Sequence, residues 1–234
     1  MYIFLEPAPL DPKYVQGFRD FGITVLNGYG ITECSPVISV CRNNYLRDGS
    51  IGQVLPCCEV KIDKLPGSDD GEILVKGKTV MLGYYKNEKV TREVMDDGWF
   101  RTGDIGKIDN DGFLYITGRK KNLIVLRNGK NIYPEELEML ISNIPYVEEV
   151  VVYCEGDSID IDTNIIAEVY LDNEYIVSNE IEDVKKELEK DIDRINSTLA
   201  HYKHIKKIRI RDNEFEKTTT KKIKRFAIKT ATGD

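Results

Sequence analysis

The clearest periodic stretch of the chain lies late, where Ile181, Val184, Leu188, Ile192, Ile195 and Leu199 recur at helical spacing among charged residues. The stripe predicts an amphipathic helix over Glu180–Leu199 whose apolar side is core, and Asn179 with Glu182 three residues on reads as its capping box. Pro12–Phe21 predicts a shorter helix, with Tyr14, Val15, Phe18 and Phe21 apolar and Gly22 as its stop. Pro134 opens a third helix, with Glu135 and Glu136 in the first turn, where acids suit the helix dipole. Strand-like runs fall at Met1–Leu5, Ile23–Leu26, Phe113–Thr117, Leu123–Leu126, Val147–Tyr153, Ile165–Leu171 and Lys207–Arg211. The first of them has no preceding element to pair with, which is odd for a complete domain.

From Gly49 to Thr117 the pattern shortens to alternating runs punctuated by Gly49-Ser50, Pro66-Gly67, Asp69-Asp70-Gly71, Asp96-Asp97-Gly98 and Asn110-Asp111-Gly112. Such spacing predicts a small barrel or curled sheet. After Leu123 a hairpin turning at Asn128-Gly129 leads into a β, helix, β, β, helix, β order, a compact α+β unit. Between the two regions stands Gly118-Arg119-Lys120-Lys121-Asn122, a charged segment that reads either as a joint between domains or as a solvated turn.

Composition narrows the class. The 234 residues are 41% apolar, enough for a real core, and no apolar run is long enough to cross a bilayer. Met1 to Leu10 has no basic start and meets Glu6 and two prolines, so no signal peptide is expected. Five cysteines without a C-x-x-C pair suit reduced thiols and a cytoplasmic location. His201 and His204 have no partners at zinc spacing and read as surface or core side chains. The net charge of −7 is unevenly spread: Glu135–Ala200 holds 19 acidic and 4 basic residues, His201–Lys229 holds 11 basic and 3 acidic ones. The basic tail could meet nucleic acid, an anionic lipid surface or a nucleotide's phosphates, or simply pair with the acidic helix before it. It lacks the interleaved aromatic residues that stack on bases, so nucleic acid is not expected.

Two stretches suggest chemistry. Ile23–Leu26 runs into Asn27-Gly28-Tyr29-Gly30-Ile31-Thr32-Glu33, and a strand, a glycine-rich turn, a hydroxyl and a carboxylate in that order suit a phosphate with its cation. An ordinary strand turn with a polar tip is the plainer reading. Thr102-Gly103-Asp104 sets a carboxylate straight after a glycine, and Asp104 with Arg119 could hold a sugar hydroxyl. Gly71–Thr79 nearly spells a P-loop, but five strand-forming residues separate its glycines instead of four, so it is read as a strand.

Taken in order, the motifs YGITE at 29–33, GEILVKG at 71–77, GYY at 83–85, WFRTGDIG at 99–106, GRKKNLI at 118–124 and KTTTKKIKR at 217–225 resemble those of the adenylate-forming enzymes. This superfamily includes acyl-CoA synthetases, luciferases and peptide-synthetase adenylation domains, and the similarity covers nearly the whole chain. The resemblance implies a remnant of the large nucleotide-binding domain (1–48), a small distorted β-barrel (49–118), a hinge (119–122) and a C-terminal α+β lid (123–230). It further implies ATP or AMP, Mg2+ and coenzyme A as ligands. Asn27, Gly28 and Tyr29 would border the adenine, Gly30 would belong to the same nucleotide site, Thr32 would meet the phosphate, and Glu33 the magnesium ion. Asp104 and Arg119 would hold the ribose, and Ile116 would lie by the nucleoside. Lys121 matches the hinge, Lys222 the lysine that reaches the α-phosphate, and Gly129 the loop that lines the pantetheine tunnel. The implied activity is that of a fatty-acid CoA ligase, with a carrier protein as the alternative acceptor.

Departures stand beside the matches. Glu6-Pro7-Ala8-Pro9 replaces the family's usual glycine-glycine-alanine-proline, Lys221 replaces a common glycine, and Glu216 a common proline. The family's Ser/Thr- and Gly-rich phosphate loop is not among these residues. A fragment of a longer enzyme, weak in adenylation by itself, is therefore expected, with a non-catalytic nucleotide- or partner-binding module as the alternative.

Overall fold

The computed structural model describes residues 2–5, 12–43, 45–154, 164–219, 221–225 and 228. Glu6-Pro7-Ala8-Pro9 and Thr220 lie outside them. The chain forms two compact units, residues 1–121 and 122–234.

The first unit opens with β1 (Tyr2–Leu5), α1 (Pro12–Asp20), β2 (Thr24–Gly30), β3 (Val37–Val40) and β4 (Gln53–Val54), whose strands lie in the order β1-β2-β3-β4. Parallel neighbours need a crossover, and α1 supplies it between β1 and β2. The opening run therefore does have a strand to pair with, one that follows it in the chain. Gly22, at φ 72°, closes α1, its N–H reaching Arg19 O at 2.9 Å while Ile23 N reaches Phe18 O at 3.0 Å. Of the helix's apolar positions only Val15 is buried; Phe21, just past the end, is 86% exposed.

The glycine-rich stretch is strand rather than turn. Gly28, Tyr29 and Gly30 pair with Val40, Ser39 and Val37 of β3. Glycine at position 30 answers a packing need, since a Cβ there would stand 2.3 Å from the Pro36 carbonyl oxygen. The reversal comes later, in a 3-10 turn at Thr32–Cys34 that ends on Ser35 at φ 60°.

Next follow β5 (Cys58–Lys64), β6 (Gly71–Gly77), α2 (Glu88–Val94), β7 (Met95–Asp96), β8 (Trp99–Ile108) and β9 (Leu114–Arg119). The five strands make an antiparallel sheet in the order β5-β6-β8-β7, with β9 also on β8. Register shifts between Glu72 and Leu74 and between Ile105 and Gly106 bend it into a curled half-barrel, as the alternating runs predict. Gly71–Gly77 is indeed a strand. Tyr29, Cys34, Ile38, Ile51, Ile73, Val75, Phe100 and Leu114 form one core shared by both sheets.

The second unit contains β10 (Ile124–Val125), β11 (Asn131–Ile132), α3 (Pro134–Ile141), β12 (Val147–Cys154), β13 (Ile165–Leu171), α4 (Asn173–Ser178), α5 (Val184–Thr198) and β14 (Lys207–Arg211). The β10–β11 hairpin turns at Asn128-Gly129 with Gly129 at φ 78°, and Pro134 begins α3. One face of the β12-β13-β14 sheet meets α3 and α5 through Leu137, Ile141, Val150, Val152, Leu188 and Ile192; the other carries Val151, Tyr153 and Ile166 beneath Phe215 and Ile228.

The capping box at Asn179 does not form. The short helix α4 ends at Asn179, Glu180 turns the chain at φ 52°, and Asp183 caps α5 by accepting from Lys186 N at 3.1 Å. Ile181 still packs on the core, from the loop before the helix. Described basic residues of the tail pair with the sheet and α3: Arg211 meets Glu168 of β13 at 2.5 Å, Lys217 meets Glu149 of β12, and Arg225 meets Glu138 of α3. These partners lie on the sheet and helix over which the tail folds.

Candidate functional site

The β8–β9 register sets Asp104 opposite Arg119, and Arg119 Nε donates to Asp104 Oδ1 at 2.7 Å. Tyr29, arriving from β2, donates its hydroxyl to Asp104 Oδ2 at 2.6 Å. Local sequence aims the carboxylate. Thr102 Oγ1 donates to Ile73 O at 2.8 Å and accepts from Asp104 N at 3.0 Å, while Gly103 takes φ 72°, which a side chain would resist. Asp104 is 3% exposed, whereas about half of the Arg119 side chain faces solvent. Burial, then the neighbouring Asp104 charge, pushes the Tyr29 phenol far above its ordinary range, so it stays a donor at any physiological pH. The result is a buried acid, a fixed hydroxyl and an exposed guanidinium, a group suited to polyol recognition.

Asn27, Gly28 and Gly30 share β2 with Tyr29, and Asn27 Nδ2 donates to Ser50 O at 3.3 Å. Its Oδ1 is buried without a hydrogen-bond partner among the described residues, an acceptor a ligand's amino group would satisfy. Ile116, on β9, packs partly buried against the core. Just past β2, Thr32 is exposed and Glu33 half-buried. Glu33 Oε1 accepts from the Tyr84 hydroxyl at 3.0 Å, and its backbone oxygen accepts from Met81 N at 2.8 Å, so the residue is held at both its side chain and its backbone. The described residues contain no cluster of three metal-ligating side chains. One held carboxylate nonetheless fits magnesium, which commonly takes one or two carboxylates and completes its shell with substrate phosphates and water. Tyr84 belongs to the GYY motif, but nothing in the sequence marks its hydroxyl as the partner of Glu33.

Lys121 is exposed and closes the first unit. Its neighbours are tied down: Lys120 Nζ meets Glu72 Oε2 at 2.7 Å and its N–H reaches Gly103 O at 2.9 Å, while Asn122 Nδ2 donates to Glu135 Oε1 at 2.5 Å. Within the second unit, Gly129 sits exposed at the hairpin tip and Lys222 stands exposed in a tight turn. There Thr218 N reaches Lys222 O at 2.8 Å and Lys221 N reaches Thr218 O at 2.9 Å. The first unit thus brings together Asn27, Gly28, Tyr29, Gly30, Asp104, Ile116 and Arg119, with Thr32 and Glu33 on the adjoining turn; Gly129 and Lys222 belong to the second.

Residues 2–85 match the family model for AMP-binding enzymes, and residues 121–232 match that for the AMP-binding enzyme C-terminal domain. This chain belongs to the AMP-binding enzyme family. The long-chain-fatty-acid–CoA ligase FadD15 of Mycobacterium bovis is 35% identical over 237 residues, covering 94% of this chain and 39% of that protein. The 2-succinylbenzoate–CoA ligase of Bacillus cytotoxicus is 40% identical over 157 residues, 64% of this chain and 32% of that protein. Among solved structures, O-succinylbenzoate coenzyme A synthetase from Bacillus subtilis in complex with AMP matches 98% of this chain and 46% of its own, with a TM-score of 0.83 at 30% identity. The same synthetase with ATP and magnesium ion gives a TM-score of 0.81. This AMP-binding enzyme chain therefore spans less than half the length of these relatives, and the resemblance read from its ordered motifs holds for family and fold.

Proposed function

We propose that this chain supplies nucleotide-binding groups and the lid of an ATP-dependent acid–thiol ligase that joins a carboxylic acid, a fatty acid, to coenzyme A. The observation that carries this reading is the Tyr29–Asp104–Arg119 cluster, a built polyol site on a family scaffold. Asp104 and Arg119 take the ribose hydroxyls, Asn27, Gly28 and Tyr29 border the adenine with Gly30 beside them in the nucleotide site, Ile116 lies by the nucleoside and Thr32 meets a phosphate. Magnesium, at Glu33, would neutralise phosphate charge. When the substrate carboxylate attacks the α-phosphorus and pyrophosphate leaves, charge grows on the phosphate oxygens, and the Lys222 ammonium is suited to stabilise it. In the second step the thiol attacks the acyl carbon and AMP departs. Lys121 is the pivot that exchanges Lys222 for the Gly129 hairpin at the pantetheine. Fatty acid is preferred as substrate because the FadD15 similarity runs through 94% of this chain.

Calorimetric titration with AMP tests the reading. Asp104→Ala and Arg119→Ala should each weaken binding roughly tenfold or more, the worth of a charge-assisted hydrogen bond. AMP binding that is absent from the parent chain, or unchanged by both substitutions, would overturn it. Without a Ser/Thr- and Gly-rich phosphate loop, the 234 residues alone should catalyse ATP–pyrophosphate exchange only weakly. Thioester formation with coenzyme A, set against a carrier protein, identifies the acceptor.

A further inference from the structure

The turn that presents Lys222 is held at both feet by acids from elsewhere in the second unit. At the first foot, Glu149 of β12 uses both oxygens: Oε1 pairs with Lys217 and Oε2 accepts from Phe215 N at 2.9 Å. Phe215 itself is 3% exposed, packed over Val151 and Tyr153. At the second foot, Glu138 of α3 pairs with Arg225 and accepts from Val152 N at 2.7 Å, while Arg225 Nη1 reaches Val152 O at 3.5 Å. Between these anchors Lys217 bridges to Ile223, and Lys224 N reaches Glu216 O at 2.7 Å. The side chains of Glu149 and Glu138 are only 9% and 13% exposed. Ion pairs with a largely buried partner are screened far less than surface pairs, so they can fix a short turn that lacks a core of its own. Lys222 rises from the middle of this bracket, with no ion-pair partner among the described residues.

We propose that Glu138 and Glu149 are positioning residues for Lys222, clamping the 217–225 turn to β12 so that its exposed amine is presented in one orientation. The proposal rests on the reading of Lys222 as the phosphate-contacting lysine. Both acids would act through the turn and neither would touch nucleotide.

Hydrogen exchange and nucleotide titration of the intact chain test it together. In Glu138→Gln and Glu149→Gln, the Thr218, Lys221 and Lys224 amides should exchange at least about tenfold faster, while amides of α5 and β13 keep their protection. AMP affinity should fall severalfold with adenosine affinity unchanged, a split that general destabilisation would not produce. Parent-rate exchange in both Gln variants overturns the proposal, as does equal weakening of AMP and adenosine. Lys222→Ala separates the two ideas. If it leaves AMP affinity intact with the turn still protected, the role given to Lys222 fails, while the clamping of the turn is decided by the exchange rates alone.

Discussion

Burial sets the chemistry of single side chains here, and the thiols show it. Cys34 is fully buried under the Thr32–Cys34 turn, and burial pushes its pKa up to about 12, whereas Cys57 is exposed. At pH 8 iodoacetamide should therefore label Cys57 readily and Cys34 only after denaturation; labelling of native Cys34 at the Cys57 rate would contradict the packing. The stability consequence has a definite sign. The folded state keeps the Cys34 proton where the unfolded chain has lost it, so this contribution is complete below the ordinary thiol pKa. It drains away as pH rises from about 9 towards 12, and urea midpoints should fall over that window. Lys221 makes a second case. It sits at φ 60°, a region costing a side chain about 1–2 kcal/mol, at the position where the family commonly has glycine. Lys221→Gly should stabilise the turn by roughly 0.5–1 kcal/mol after the unfolded-state entropy of glycine is counted, seen as slower exchange of the Thr218 amide. That strain is readable from sequence only beside the family pattern. The Tyr29–Asp104 bond is not readable at all, because it joins residues 75 apart and neither neighbourhood hints at the other.

Elements are legible where one period dominates. Ile165–Leu171 stands where its near-continuous apolar run puts it, Lys207–Arg211 where its alternation does, and Pro134 begins its helix. Boundaries fail where two local signals compete. Asn179 followed by Glu182 has the spelling of a capping box, yet the chain spends Asn179 on the end of α4 and caps α5 with Asp183. Asp183→Ala should cost about 1 kcal/mol, and Asn179→Ala appreciably less, in urea denaturation followed by far-UV circular dichroism. The reverse order would restore the earlier start. The glycines of Asn27–Gly30 mislead for a related reason. Glycine marks a turn or a close approach of backbones, and only the Pro36 carbonyl, 2.3 Å from where a methyl group on Gly30 would stand, tells that this glycine is the second kind.

At the scale of the whole molecule the deciding fact is that the described cores do not share residues. One gathers Tyr29, Ile38, Ile73, Phe100 and Leu114; the other gathers Ile132, Leu137, Val150, Val169 and Leu188, with a second layer under Phe215. Cooperative unfolding requires that losing one set of contacts exposes the other, and separate cores remove that requirement. The ties beside Lys121 reinforce the division, since Lys120 is bound to Glu72 before it and Asn122 to Glu135 after it. Urea denaturation should therefore show two transitions. Residues 122–234 produced alone should reproduce one of them, at an unchanged midpoint if its core is self-sufficient. Tryptophan fluorescence assigns the other without ambiguity, because the single tryptophan, Trp99, lies in β8 of the first unit. Fluorescence tracking one step and far-UV circular dichroism tracking two is the expected result. A single transition shared by both probes, or residues 122–234 unfolded on their own, would mean that stability is held in common and that the pivot at Lys121 has no independent bodies to turn.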